Sequence, residues 1–230
     1  MVGNVSREKN SYQKVSYSQC GEDLIVSHLF KMFKIDKPSY LDIGAGHPCD
    51  GNNTYLFYLS SGSGILVDAD PHNYKLLDRE RSNDRVYNCA VVGNTSKYPG
   101  GFVKLQLTSV RTLSTINKNL LPGYKNRGYK VVGTVDVQVF PINELMETFM
   151  RCPDFVSIDI EGAEVEVLSE LDFDKYKPLI FCIETLDFAT QQKNKNLIEL
   201  MDRRGYLLYA DTMVNSIFVN KERYGARLSC

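Results

Sequence analysis

Short apolar runs that end on an acid recur along this chain, and each is followed by a stretch with helical spacing. A polar lead, residues 1–15, comes first. Leu24, Ile25, Leu29, Phe30 and Phe33 then fall on one helical face, and Asp36-Lys37-Pro38 closes that helix. Tyr40-Leu41-Asp42-Ile43 reads as a strand that opens into the turn Gly44-Ala45-Gly46. A helix from Tyr55 follows, with Asn52-Asn53-Thr54 as its predicted cap. Gly64 to Val67 forms a second strand ending in Asp68-Ala69-Asp70, Pro71 starts a helix through Leu77, and Arg85 to Val92 is a third strand.

From Gly93 to Lys130 the alternation breaks. Pro99-Gly100-Gly101 and Pro122-Gly123-Tyr124 are turns, and Phe102 to Leu107 alternates like an edge strand. The β-branched run Val131–Phe140 resumes regular structure, which makes residues 93–130 an insertion of the kind that carries the acceptor side of a site. Further on, the pattern predicts helices over 141–150, 163–171 and 196–204 and strands over 154–159 and 179–184. Two short strands, 206–209 and 216–219, pair antiparallel.

Alternating strands and helices predict an α/β fold, with a mostly parallel sheet covered by helices on both faces. The closing antiparallel hairpin is the feature that discriminates. A dehydrogenase would continue with another strand–helix unit, whereas a seven-stranded class I (Rossmann-like) methyltransferase ends this way. That favours S-adenosylmethionine (SAM) over NAD. The chain is expected to be a single domain over 16–230.

Composition narrows the picture further. The 27 Lys and Arg offset 28 Asp and Glu, so the net charge of −1 implies no general attraction to nucleic acid or anionic membrane. The six cysteines form no Cys-x-x-Cys pair and no zinc spacing with histidine. No stretch approaches a membrane span and the N-terminus lacks an apolar signal core, so a reduced, cytoplasmic setting is expected.

The chemistry collects at the predicted strand tips, Asp42, Asp68, Asp159 and Glu184, because open α/β sheets bind ligands at that edge. Gly44 and Gly46 permit a sharp turn that presents backbone N–H groups, and Asp68 is placed to take both ribose hydroxyls of a nucleoside. Asp42 either organises the turn or contacts the methionine end of the cofactor. Asn53 and Thr54 either bind the cofactor carboxylate or serve as caps. Asp159 and Glu161 are candidate acids or bases, and Glu164 suits a helix dipole. His47 is a base or a locally bonded loop histidine. Clustered acids could also hold a divalent cation.

Four motifs in order, Ser18-Gln19-x-Gly21-Glu22-Asp23, Asp42-Ile43-Gly44-Ala45, Asn53-Thr54-Tyr55 and Asp159-x-Glu161-Gly162-Ala163-Glu164, resemble the FkbM family of SAM-dependent methyltransferases. The resemblance runs from about Ser16 to Val219. It implies methyl transfer, commonly to a hydroxyl of a sugar or glycosylated metabolite. The expected cofactor-binding set is Gln19, Glu22, Asp42, Gly44, Ala45, Gly46, Asn53, Thr54, Asp68, Ala69, Ala90 and Asp159, and the expected catalytic set is Asp159, Glu161 and His47. The commoner class I loop has a further glycine where Pro48 stands here. An NAD(P)-dependent oxidoreductase and a non-catalytic SAM-binding subunit are the alternatives. A nucleic-acid methyltransferase is disfavoured, because there is no basic stripe and no Asn-Pro-Pro-Tyr-like site. The acceptor is expected to be a small molecule or a glycan, and the oligomeric state is open.

Overall fold

The computed structural model describes residues 12–149, 151–187 and 191–229. In chain order these form α1 (Glu22–Met32), β1 (Ser39–Ile43), α2 (Tyr55–Leu59), β2 (Ser63–Val67), α3 (Pro71–Glu80), β3 (Arg85–Tyr87), β4 (Ala90–Val92), β5 (Phe102–Thr108), α4 (Leu121–Asn126), β6 (Val131–Pro141), α5 (Ile142–Glu147), β7 (Phe155–Ile158), α6 (Glu164–Glu170), β8 (Ile180–Glu184), β9 (Leu186–Asp187), β10 (Gln192–Lys193), α7 (Lys195–Arg203), β11 (Tyr206–Asp211), β12 (Asn215–Asn220) and α8 (Lys221–Leu228). Most of the predicted N-terminal lead lies outside the described residues.

The central strands carry continuous apolar runs because both faces of the sheet are covered. Successive residues of β1 show this directly. Leu41 and Ile43 join the core on one face, with Ile65, Val156 and Phe181, whereas Tyr40 joins the core on the other, with Leu66, Phe155 and Ile180. The result is a seven-stranded sheet in the order β11-β12-β8-β7-β1-β2-β3. β3, β2, β1, β7 and β8 run parallel, and β12 and β11 are antiparallel as the terminal hairpin requires. The chain leaves β1 toward β2 and β3, then returns to place β7 on the other side of β1. That reversal opens a crevice above Ile43 and Ile158.

The predicted third strand does not hold together. Arg85–Tyr87 pairs with β2, but Ala90–Val92 leaves that sheet and runs parallel to β6. Asn88 fixes the break, its Nδ2 donating to the carbonyls of Asp68 at 2.8 Å and Ala69 at 3.1 Å. The insertion is also more regular than its sequence indicates. β5 pairs antiparallel with β6 from Phe102↔Gln138 onward, giving a separate three-stranded sheet β4-β6-β5 with a small core of Ala90, Leu105 and Val137. Residues 111–126, which join β5 to β6, fold back over the strand tips as short helical turns.

Two further differences are local. Thr54 is the cap residue of α2 but makes no side-chain cap bond, because its hydroxyl donates instead to Asp42 Oδ2 at 2.7 Å. The terminal helix α8, hidden by its polar sequence, is held by Asn220 accepting from Arg223 N and by Arg227 donating to Met32 O.

Candidate active site

The glycine turn comes first. Gly44 has φ +80 and packs so tightly on the tip of β7 that a Cβ there would lie 1.7 Å from the Asp159 carbonyl oxygen. Only glycine fits. Gly46, with φ +60, faces open space: its nearest neighbours to a Cβ, the Gly44 carbonyl and Thr112, are 3.9 Å away. The backbone N–H groups are not free. Gly44 and Ala45 donate to Val67 O, and Gly46 donates to Asp68 Oδ2 at 2.8 Å. The turn therefore receives a ligand by shape and has no N–H left for a pyrophosphate, which removes the structural basis of an NAD site.

Asp42 sits beneath the turn and outside the cavity. Asn52 Nδ2 bridges Asp42 Oδ2 and Ala45 O, tying the acid to the turn it organises. Arg81, fully buried, braces the same region. It donates to Asp84, Pro48 O, Asn52 Oδ1, Tyr40 OH and Thr54 Oγ1, and its guanidinium carbon lies 4.6 Å from the centre of the Tyr58 ring. Burial pushes the Asp42 carboxyl above its usual range despite the opposing bonds from Thr54 and the nearby Arg81 charge.

Above the turn lies a cavity of about 880 Å³. Val67, Ala90, Val91, Leu105 and Ile116 give it an apolar wall suited to a purine, while Asp68 and Asp70 supply acceptors. Asp68 already accepts from Gly46 N, Asp70 N and Asn73 Nδ2. A carboxylate offers about four acceptor positions, so one remains, and Asp68 cannot take both ribose hydroxyls while closing the turn. Burial raises its pKa to about 7. Asp70 was not singled out by the sequence reading, although it follows Asp68 in the same tip. It caps α3 through His72 N and is gripped by Arg111 Nη1 at 2.8 and 2.9 Å. Arg111, Thr112 and Ser114 bring the insertion over the cavity.

Asp159 and Glu161 line the cavity, and together with Glu184 behind them they offer oxygens that all lie within 4.8 Å of one another. The Asp159 and Glu184 carboxyl groups lie close together in this cluster, an arrangement that favours sharing one proton over ionising both. Burial first, then the neighbouring carboxylates, raises Asp159 to about 7 and Glu161 to about 8, and drives Glu184 well above its usual value. Glu161 adopts φ +55 and is held by the insertion. Tyr124 donates to its Oε2 at 2.5 Å, and Thr115 Oγ1 donates to its carbonyl at 2.8 Å. Burial and these acids push the Tyr124 hydroxyl strongly upward, so it stays a donor. Glu164 serves the loop backbone, accepting from Ile160 N and Gly162 N.

Of the predicted residues, Gln19, Gly44, Ala45, Gly46, His47, Asp68, Ala69, Ala90, Asp159 and Glu161 line the cavity. Glu22, Asp42, Asn53 and Thr54 do not. Glu22 is buried and accepts from Cys20 N, Thr212 and Asn215, which staples the N-terminal motif to the terminal hairpin. Asn53 Nδ2 donates to Ser157, its Oδ1 has no partner among the described residues, and α2 is only five residues long. His47 is half-exposed at the cavity mouth, and its Nδ1 accepts from Asp50 N at 3.0 Å. With Cys49 and Asp50 it forms a compact trio of metal-type donors that the spacing did not suggest.

The residues present suit SAM. They combine a shape-defined turn, an apolar wall and two acids for one nucleoside. Among solved structures, the chain is similar to a TehB-like SAM-dependent methyltransferase from Corynebacterium glutamicum, at 10% identity and TM-score 0.46, over 87% of this chain and 88% of that one. It is also similar to a precorrin-6y C5,15-methyltransferase from Geobacter metallireducens, at 10% identity and TM-score 0.41, over 86% and 79%. No match is found among curated proteins. The Methyltransferase FkbM domain matches residues 42–208, which spans the glycine turn, both acids of the second strand tip, the insertion and the acid cluster, and the chain therefore belongs to the FkbM family of SAM-dependent methyltransferases.

Proposed function

We propose that the protein methylates oxygen, and that its acceptor is a hydroxyl of a sugar, a glycan precursor or a glycosylated metabolite. One observation carries the transfer to oxygen: the cofactor cavity is lined by Asp159 and Glu161, carboxyl groups raised to about 7 and about 8. SAM, when bound, supplies a methyl group on a sulfonium. What remains for the protein is to align the acceptor oxygen and take its proton. An alcohol is a poor nucleophile at neutral pH. A base that titrates near the working pH accepts its proton better than a carboxylate near pH 4.

In this reading the glycine turn, Ala69 and Ala90 hold the adenosyl part by shape, and Asp68 takes one ribose hydroxyl. Asp159 is the proton acceptor, and Glu161 is poised by Tyr124 beside it. Glu184, close beside Asp159, receives or returns the shared proton. His47 can serve only through Nε2, since Nδ1 is taken by the Asp50 N–H.

Asp159→Asn tests the assignment. The variant should fold, keep SAM affinity within a few-fold and lose about 10²-fold or more in kcat. Wild-type rate should rise with pH toward about 8, as the carboxyl groups lose their protons. A folded Asp159→Asn protein with near-normal kcat would remove Asp159 from the chemistry. If chelation stops turnover and Mg²⁺ restores it, the acid cluster works by holding a cation.

A further inference from the structure

A second cavity, about 570 Å³, opens on the far side of the Asp159–Glu164 loop. Glu161 lines both cavities and Glu184 lines the second, so a molecule in the second one also reaches the acid cluster. The insertion roofs the two together. Arg111, Thr112 and Ser114 cover the first, and Asn117 and Leu120 cover the second. The roof is fixed: a Cβ on Gly162, which has φ +94, would lie 3.0 Å from both Asn117 and Leu120, and Asn117 Nδ2 donates to Gly162 O.

The lining of this cavity holds carboxyl groups and no cation among the described residues. Glu161, Glu164, Glu184 and Asp187 contribute carboxyl groups, and Asn117, Thr185 and Asn194 contribute neutral polar groups. No Lys, Arg or His lines it among the described residues. The nearest cation in the bonding network, Lys193, is already engaged. It donates to Thr185 Oγ1 and pairs with Asp211 at 2.7 Å. Such walls suit a ligand that brings many O–H or N–H groups, and they give a phosphate or carboxylate no cation to pair with.

We infer that this second cavity is the acceptor site, and that it takes a sugar without phosphate or carboxylate, either uncharged or amino-bearing. The inference rests on the O-methyltransferase reading and narrows it. Nucleotide sugars and sugar phosphates find no counter-charge in this lining. A hydroxyl seated here faces Glu161 and Asp159, with the cofactor cavity behind them.

The test is methyl transfer from labelled SAM to a matched panel of methyl glucoside, glucosamine, glucose 1-phosphate and UDP-glucose. It is run with the wild-type chain and with Asp187→Lys, which reverses charge at an exposed rim position. The uncharged or amino sugars should exceed the phosphate-bearing ones by about 10-fold or more in kcat/KM. Asp187→Lys should narrow that ratio by about 10-fold through acceptor KM, with S-adenosylhomocysteine affinity unchanged by calorimetry. Turnover confined to the phosphate-bearing members, or a ratio indifferent to Asp187→Lys, overturns the inference and leaves methyl transfer to sugars standing. If SAM binds and no panel member of either kind turns over, the sugar reading and this inference fall together.

Discussion

At the scale of single residues, the same side chain often has two duties, and the structure ranks them. Asp68 closes the glycine turn through Gly46 N, yet keeps one acceptor position facing the cavity. Asp68→Ala loses both, so SAM affinity should fall by about 1–3 kcal/mol, roughly 5- to 150-fold in Kd by calorimetry. Unchanged affinity would leave Asp68 with the turn alone and shift ribose recognition to Asp70. Asp42 is the opposite case. It resembles a ligand in the sequence, but it lies outside the cavity, and its Oδ2 accepts from both Asn52 and Thr54 beneath the turn. Its neighbour Arg81 shows why such assignments are hard from sequence. An arginine near a helix end reads as surface, and nothing local announces that Asp84, Tyr40 and Thr54 converge on it from three elements.

At the scale of elements, the legible parts were those written in local patterns. The apolar runs ending in Asp42, Asp68 and Asp159 gave three strands and their tips, and the hairpin at 206–220 gave the antiparallel edge. What stayed hidden was pairing between distant segments. Arg85 to Val92 is one apolar stretch, but Asn88 diverts its second half to β6, whose own sequence cannot say which strand it will meet. The insertion likewise looks unstructured until β5 and β6 pair, after which residues 111–126 clamp the acid loop. Tyr124 is the clamp's clearest test. Tyr124→Phe removes one hydrogen bond to Glu161 and keeps the ring, so SAM affinity should hold while kcat falls about 10-fold and the acid limb of the pH profile moves. Replacing Thr108–Asn117 with a glycine-serine linker should abolish turnover and leave the sheet folded, as read by far-UV circular dichroism. Full activity in either variant would make the insertion a bystander.

At the scale of the whole molecule, the sheet gathers a group of carboxyl groups that burial pushes above their usual range. Asp68 and Asp159 are raised to about 7 and Glu161 to about 8, while Asp42, Glu164 and Glu184 also move upward, each with burial as the leading cause. Glu22 goes the other way: burial raises it, but bonds from Thr212, Asn215 and Cys20 N outweigh that. A carboxyl whose folded pKa exceeds its unfolded value of about 4 binds more protons in the folded state. Its contribution to stability is complete below about pH 4 and is lost as pH rises through 7 and 8. The ligand-free protein should therefore lose stability from pH 5 to pH 8.5, against the usual carboxylate trend. Neutralising the cluster should recover that loss. At pH 8, Asp159→Asn with Glu161→Gln should stabilise the fold by about 1–3 kcal/mol, which at this chain length is roughly 2–10 °C in Tm. At pH 5 the same pair should change Tm little, because the native acids are already neutral there. Calorimetric scans across this range, with a chelator present so that no adventitious cation screens the acids, provide the measurement. A wild-type Tm that is flat or rising between pH 5 and 8.5 would mean the cluster ionises at ordinary values, and the poised-base account of catalysis would go with it.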